Sequence, residues 1–321
     1  MKNQTPTIIA LGPKLTYSDL QIPHFQKIIP KTKNQRPKIL LKNFSQIIKT
    51  LKENPQHLAV VPLENSIQGD VTEVLDAIYQ QDFKILAGHW QPIHLALCGT
   101  KKVDEKNYKN ITKIFSHPQP LSQAKKFLNK NFPNAEKIEM TSTAEAIRYI
   151  AKKNDKNYLA VGPKEAGEFF NLEILAENIE SSKNNQTFFV LIENVSLQNS
   201  SSLRGGTEQR RSNLENFKQE FSEKNNILNI VEQSLSQKKY ETALAFTFHA
   251  DKPSSLFSVL EIFAKKEINL TKIVSRPTGE KRYDYIFYLN FEGKISEKLE
   301  LFENIKSQTK NLKILGEYFV F

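Results

Sequence analysis

The sequence predicts an α/β protein of two domains. The chain has 321 residues, more than one domain of average size. Residues 7–194 alternate short apolar runs with amphipathic stretches of helical period, a pattern typical of α/β layers. A polar stretch then separates this region from a C-terminal segment with a different pattern of strands and helices.

Short apolar runs in the first region predict strands and the stretches between them predict helices. The capping-box pattern of Ser142 and Glu145 predicts a helix over residues 142–153. A helix over residues 70–80 is predicted to begin with Asp70 as an acidic cap. The predicted strands are residues 8–11, 39–41, 58–62, 84–87, 93–97, 114–116, 137–140, 159–161, 172–176 and 187–192.

The C-terminal segment predicts a ferredoxin-like domain. Residues 195–240 contain QNSSS and GGT, too polar to hold a core, and are predicted to be a linker or an insertion. Beyond them the alternation of apolar residues gives strand, helix, strand, strand, helix, strand, which is the βαββαβ plan. The predicted helices cover residues 255–266 and 296–307, and the third strand is predicted to begin at Tyr283.

Composition excludes several classes of protein. With 39% hydrophobic and 25% charged residues and no apolar run of about 20 residues, the chain predicts no membrane segment, and no secretory signal is recognised, so we expect a cytoplasmic protein. With one cysteine, Cys98, the chain cannot form an internal disulfide or a cysteine-rich metal site. The net charge is +10, but only seven of the 45 basic residues are arginine and the lysines are scattered, which argues against nucleic acid. His89 and His94 flank Pro92 with a spacing that does not fit a metal site.

Several motifs occur in the order found in one enzyme family. The sequence VPLENSIQG at residues 61–69 resembles the VPIENSxxG signature of prephenate dehydratases. GPKLTYS at 12–18 resembles GPxGTFS, SHPQPLSQ at 116–123 resembles SHPQALxQ, and NQTFF at 185–189 stands where the family has NxTRF. KPSSL at 252–256 and INLTKIVSRP at 268–277 resemble the PGAL and INLTxIESRP motifs of an ACT regulatory domain.

The resemblance implies an enzyme without a cofactor that converts prephenate to phenylpyruvate, carbon dioxide and water. It implies a two-lobed, periplasmic-binding-protein-like catalytic domain over residues 6–194 and an ACT domain over 241–321 that binds L-phenylalanine in a homodimer or homotetramer. Lobe one is expected to span 6–91 and 165–194, and lobe two 92–164. No chorismate mutase helix bundle is expected before Thr7.

The resemblance also suggests site residues. Thr187 matches the family's essential threonine, whose hydroxyl can donate a hydrogen bond to the leaving oxygen, although it needs help from a neighbouring donor. Glu64, Asn65 and Ser66 follow a predicted strand, where ligands bind in α/β sheets. The other substrate-binding candidates are Thr16, Ser18, His117, Gln119, Ser142, Thr143 and Phe189. The effector candidates are Pro253, Ser254, Ser255, Leu256, Asn269, Ser275, Arg276 and Pro277.

Some positions depart from the family motifs. Phe188 replaces an arginine, which removes a cation that could pair with a carboxylate or organise Thr187. Leu15 and Ser254 replace glycines, and Val274 replaces a glutamate. These departures keep two alternatives open: a dehydratase that prefers arogenate, and a catalytically impaired sensor of an aromatic metabolite.

Overall fold

The computed structural model describes residues 7–29, 37–101, 105–195, 239–249, 252–279 and 284–321. The strands are β1 (Ile8–Leu11), β2 (Lys38–Leu41), β3 (Leu58–Asn65), β4 (Gly69–Asp70), β5 (Phe83–Pro92), β6 (Ala96–Gly99), β7 (Lys113–Ser116), β8 (Glu136–Glu139), β9 (Tyr158–Gly162), β10 (Glu173–Ala176), β11 (Gln186–Asn194), β12 (Lys239–Thr247), β13 (Leu270–Pro277), β14 (Tyr285–Glu292) and β15 (Asn311–Val320). The helices are α1 (Tyr17–Ile28), α2 (Phe44–Glu53), α3 (Thr72–Gln80), α4 (Pro118–Gln123), α5 (Lys125–Asn131), α6 (Thr143–Lys153), α7 (Lys164–Phe169), α8 (Ser255–Lys265) and α9 (Leu299–Gln308).

Two sheets form two lobes. In the first lobe the strand order is β2-β1-β3-β11-β5, with β1, β2 and β3 parallel and β11 antiparallel to both of its neighbours. The second sheet has the order β10-β6-β9-β7-β8, in which β7, β8 and β9 are parallel. The chain passes between the lobes after β5 and returns before β11. The predicted two-lobed α/β architecture is confirmed.

The C-terminal domain has the predicted ferredoxin-like plan. Its strands lie in the order β13-β14-β12-β15, with all neighbours antiparallel. Helices α8 and α9 cover one face of this sheet around Phe246, Phe263 and Phe291, all of them buried. The other face packs on the first lobe, where Tyr288 and Tyr318 share a buried cluster with Phe188 of β11 and Ile78 of α3.

The two domains also share a sheet. Strand β15 pairs in parallel with β5 of the first lobe, and Gly316 lies against Ile85. A Cβ at position 316 would lie 2.5 Å from the Ile85 carbonyl oxygen, so glycine is what allows the strands to approach. The sheet therefore continues from the C-terminal domain into the first lobe.

The structure corrects some predictions. Residues 165–176 were expected in lobe one, but β10 pairs with β6 in the second sheet and Ala166 of α7 packs in the core of the second lobe, so that assignment is wrong. Asp70 does not cap α3: it lies in β4 opposite Glu64, and the helix starts at Thr72 with no side-chain cap. The expected strand over 93–97 begins only at Ala96, because β5 continues to Pro92 alongside β11. Residues 196–238 of the predicted linker and Tyr283 lie outside the described residues, whereas Lys239 and Tyr240, predicted as the end of the linker, already belong to β12.

Helix α6 shows half of its expected capping box. The Ser142 hydroxyl accepts a hydrogen bond from the Glu145 amide at 3.1 Å, as predicted. The Glu145 carboxylate accepts from the Thr141 hydroxyl. Among the described residues every helix is too short or too polar to cross a membrane.

Candidate functional site

Thr187 lies between two polar side chains at the start of β11. Its neighbours across the sheet are Asn65 on β3 and Gln91 on β5. The Asn65 amide nitrogen donates to the Thr187 hydroxyl oxygen at 3.0 Å, and it also contacts Asn185 and the Gln186 carbonyl. Because a hydroxyl oxygen carries two lone pairs and one proton, accepting from Asn65 leaves the Thr187 proton available for another acceptor.

The orientation of Asn65 is fixed from both sides. Its side-chain oxygen accepts from the amides of Ile67 and Gln68, each at 3.1 Å, which folds the chain between β3 and β4 into a tight turn. Asn65 is only 7% exposed. Its nitrogen must therefore face Thr187 and Asn185, so this contact is built into the fold.

Two residues that the sequence reasoning did not select complete this network. Asn185 accepts from Asn65, and its own nitrogen donates to the side-chain oxygen of Gln123 at 3.1 Å. Gln123 ends α4 in the second lobe, and its buried side-chain nitrogen has no hydrogen-bond partner within the described part of the chain. A row of oriented amides thus joins the second lobe to Thr187. Asn185 lies in the motif NQTFF and Gln123 in SHPQPLSQ, so their place in family motifs could have identified them as site residues.

Ser66 holds the site together. Its hydroxyl donates to the Asn184 carbonyl at 2.7 Å and accepts from the Gln186 amide at 2.9 Å. Its backbone amide donates to the Gln186 carbonyl. Because the proton of its hydroxyl is used within the protein, Ser66 anchors the turn to the segment before Thr187.

The other flank of Thr187 is supported by α1. The side chain of Gln21, which is 2% exposed, donates to the Gln91 side chain at 3.0 Å. His89 contacts the Gln21 oxygen through Nδ1 at 3.0 Å, and its ring stacks on His24 and Phe321. Burial lowers the pKa of His89 to about 4, so it is neutral near pH 7 and Nδ1 can donate to the Gln21 oxygen.

Most of the remaining predicted site residues lie at helix N-termini. Thr16 caps α1, accepting from the Asp19 amide and donating to the Leu11 carbonyl, and Ser18 is buried in the first turn. In the second lobe His117 caps α4, Gln119 lies in its first turn, and Ser142 and Thr143 begin α6. Leu15, beside Thr16, packs in the same buried cluster as Ala144, beside Thr143, so the N-termini of α1 and α6 meet across the lobes. The positive end of each helix dipole favours an anion there, although Asp19 and Glu145 place carboxylates in the same first turns.

Phe188 and Phe189 point to opposite faces of the first sheet. Phe189 lies on the α1 side with Phe25 and is 2% exposed, which makes it part of the core. Phe188 lies on the side of the C-terminal domain, over Gly88 and with its ring 4.9 Å from that of Trp90. Since alternate residues of a strand face opposite ways, Phe188 points away from the face of Thr187. The missing arginine therefore leaves the immediate surroundings of the threonine intact.

Glu64 also faces the C-terminal domain. Its carboxylate binds the Lys272 ammonium of β13 at 2.5 Å, and the same ammonium binds Asp70. Glu64 thus lies next to the site in sequence but on the other face of the sheet.

The effector candidates lie at two places in the C-terminal domain. Pro253 and Ser254 precede α8 and Ser255 and Leu256 begin it, whereas Asn269 is exposed just before β13 and Ser275 and Pro277 are exposed on β13. Arg276 instead faces the first lobe, where its guanidinium pairs with Asp76 of α3 at 2.8 Å. In the part of the chain that the structure describes, His, Cys, Asp and Glu side chains form no group of three that could hold a metal ion.

The chain is similar to several known proteins. The family model for prephenate dehydratase matches residues 8–196. The prephenate dehydratase of Methanocaldococcus jannaschii is 34% identical over 265 residues, which cover 82% of this chain and 82% of that protein. The enzyme of that name from Lactococcus lactis is 29% identical over 280 residues, 86% of each chain. A crystal structure of prephenate dehydratase in complex with L-Phe from Arthrobacter aurescens shares the fold, with a TM-score of 0.70 and 24% identity over 97% of this chain and 89% of that one.

Proposed function

The chain belongs to the prephenate dehydratase family, and from this premise we propose that it converts prephenate to phenylpyruvate, carbon dioxide and water. The prediction of a lyase of this family is confirmed. The single observation that carries the assignment to the site is the hydrogen bond from Asn65 to the Thr187 hydroxyl.

The reaction asks little covalent chemistry of the protein. As the bond to the ring carboxylate breaks, its electron pair aromatises the ring and expels the hydroxyl group. Negative charge then develops on the leaving oxygen, which needs a hydrogen-bond donor. The Thr187 hydroxyl is that donor in this proposal.

Asn65 makes the weak acid Thr187 more effective. By donating to the hydroxyl oxygen, it stabilises the negative charge that grows there as the proton is shared with the leaving group. It also aims the Thr187 proton away from β3. The row Gln123–Asn185–Asn65 fixes these amides before substrate arrives, so little reorganisation is needed during the reaction.

In this proposal both lobes bind the carboxylate of the substrate's side chain. We assign the N-termini of α1 and α6, near Thr16, Ser18, Ser142 and Thr143, to binding of the anionic side chain.

The proposal is tested by turnover with two substrates. The purified protein should form phenylpyruvate from prephenate, with a higher kcat/KM than for arogenate. Turnover of arogenate alone would support the arogenate alternative. Binding of an aromatic metabolite without turnover of either substrate would support the sensor.

Regulation by L-phenylalanine is part of the same proposal. The structure from Arthrobacter aurescens is a complex with L-Phe. Among the described residues, β13 is an edge strand of the C-terminal domain and pairs only with β14, with Ile273 45% exposed and Phe257 of α8 63% exposed. An apolar sheet edge of this kind favours pairing with a second copy, so a homodimer is expected. L-Phenylalanine should lower the rate of phenylpyruvate formation. Light scattering of the purified protein measures the mass of the oligomer and so tests for the homodimer. The cytoplasmic location stays a prediction.

A further inference from the structure

The hairpin that carries Asn65 contains an electrostatic conflict. Strands β3 and β4 place Glu64 directly opposite Asp70, and Asn65 opposite Gly69. Like charges directly opposite one another in an antiparallel pair destabilise it. The hairpin therefore needs a cation beside these two carboxylates.

The C-terminal domain supplies that cation. The Lys272 ammonium lies 2.5 Å from the Glu64 carboxylate and also binds Asp70. The Lys272 side chain is 12% exposed, and those of Glu64 and Asp70 are 30% and 14% exposed. Water screens this cluster less than it screens an exposed ion pair, so its contribution should exceed that of an ordinary surface salt bridge.

No nearer residue of β11 can take this role. Phe188 is the cross-strand neighbour of Glu64 and is 4% exposed. Its ring packs on Trp90 and offers no charge to a carboxylate. In the family motif NxTRF an arginine occupies the position of Phe188. In this chain the cation beside Glu64 comes instead from the C-terminal domain.

We propose that Lys272 is a positioning residue for Thr187 that acts through Asn65. By neutralising Glu64 and Asp70 it keeps the hairpin closed and so keeps the Asn65 amide directed at the threonine hydroxyl. This inference rests on the proposed function. The C-terminal domain is then needed for activity, because Lys272 of β13 stabilises the hairpin that positions Asn65 beside Thr187.

The test compares lysine variants of the full chain. Lys272→Met keeps the length of the side chain but removes its charge, and kcat for prephenate should fall about tenfold with KM within about twofold. Lys272→Arg should keep most of the turnover. The matched control is Lys266→Met, which removes an ion pair with Glu300 in the same domain and should keep the wild-type kcat.

A second substitution separates positioning from general damage. Asp70→Asn in the Lys272→Met background removes the repulsion, so kcat should return to within about threefold of wild type. Hydrogen exchange gives a readout without turnover: the Ile67 and Gln68 amides bonded to Asn65 should exchange faster in Lys272→Met and recover in the double variant.

The outcomes distinguish the two proposals. If the wild-type protein turns over neither substrate, the proposed function fails, while amide exchange still tests the hairpin. Wild-type kcat and wild-type exchange in Lys272→Met would overturn the role of Lys272.

Discussion

At the scale of single residues, two positions that depart from the family motifs have a strained backbone. Leu15 and Ser254 replace glycines, and both adopt the left-handed backbone that favours glycine, with φ of 71° and 72°. Leu15 offsets the strain because its side chain is buried, at 8% exposure, in the core of the second lobe. Ser254 is exposed and has no such compensation.

Ser254 therefore offers a prediction about stability. Ser254→Gly should have a free energy of unfolding about 1 kcal/mol higher than that of Ser254→Ala, because only glycine relieves the left-handed strain. Both variants lose the same hydroxyl, which makes alanine the matched control. Denaturant unfolding measures the difference, and equal stability of the two would show that position 254 is unstrained.

At the scale of elements, the period of apolar residues predicted most strands, and four of the nine α-helices in the described residues were given bounds from the sequence. The errors occurred where the extent of an element depends on its pairing partner. Strand β5 extends to Pro92 because β11 pairs with it, and local sequence carries no sign of that partner. Aspartate is a common N-cap residue, but Asp70 lies in β4, where its backbone pairs with that of Glu64 and its carboxylate binds Lys272. The N-caps of α1 and α6 depend on local sequence, and the structure has them at Thr16 and Ser142.

The packing of α1 on β5 predicts a dependence on pH. His89 has a pKa of about 4 in the folded protein against an ordinary value of 6.5, chiefly because of burial and then the neighbouring His24. Between pH 6.5 and 4 the unfolded chain takes up a proton at His89 that the folded protein does not, so stability should fall as the pH falls through this range.

A variant at His89 checks the cause of this loss. His89→Gln can still donate to Gln21 but cannot titrate, so its stability should fall less steeply between pH 6.5 and 4. Substitution of the exposed His249 by glutamine is the control and should leave the slope as in wild type. Parallel curves for wild type and His89→Gln, from denaturant unfolding at several pH values, would exclude His89 as the source.

At the scale of the whole molecule, motif order predicted the family, the lobes and the C-terminal domain. It could not predict how the domains meet, because those contacts join residues 200 or more positions apart in sequence, such as Glu64 with Lys272 and Asp76 with Arg276. Phe188 shows why the position of a residue in a motif does not give its place relative to the site. From the motif alone it lies beside the catalytic threonine, whereas the alternation of β11 turns it toward the C-terminal domain.

The shared sheet predicts that the two domains unfold together. Gly316→Val would force a side chain into Ile85 and separate β15 from β5, so stability should fall by about 1–3 kcal/mol. Calorimetry should show one transition for the wild-type protein and two for the variant. A single transition at the wild-type midpoint in Gly316→Val would contradict the close approach of these strands.

The central claim is that the Thr187 hydroxyl, supported by Asn65, assists the departure of the substrate hydroxyl group. The direct measurement is the kcat of Thr187→Ala and Thr187→Ser with prephenate, alongside the wild-type protein. Thr187→Ala should lower kcat by about 10²–10⁴-fold with an unchanged melting temperature, and Thr187→Ser, which keeps the hydroxyl, should retain much of the activity. Turnover of Thr187→Ala near the wild-type rate would contradict the claim.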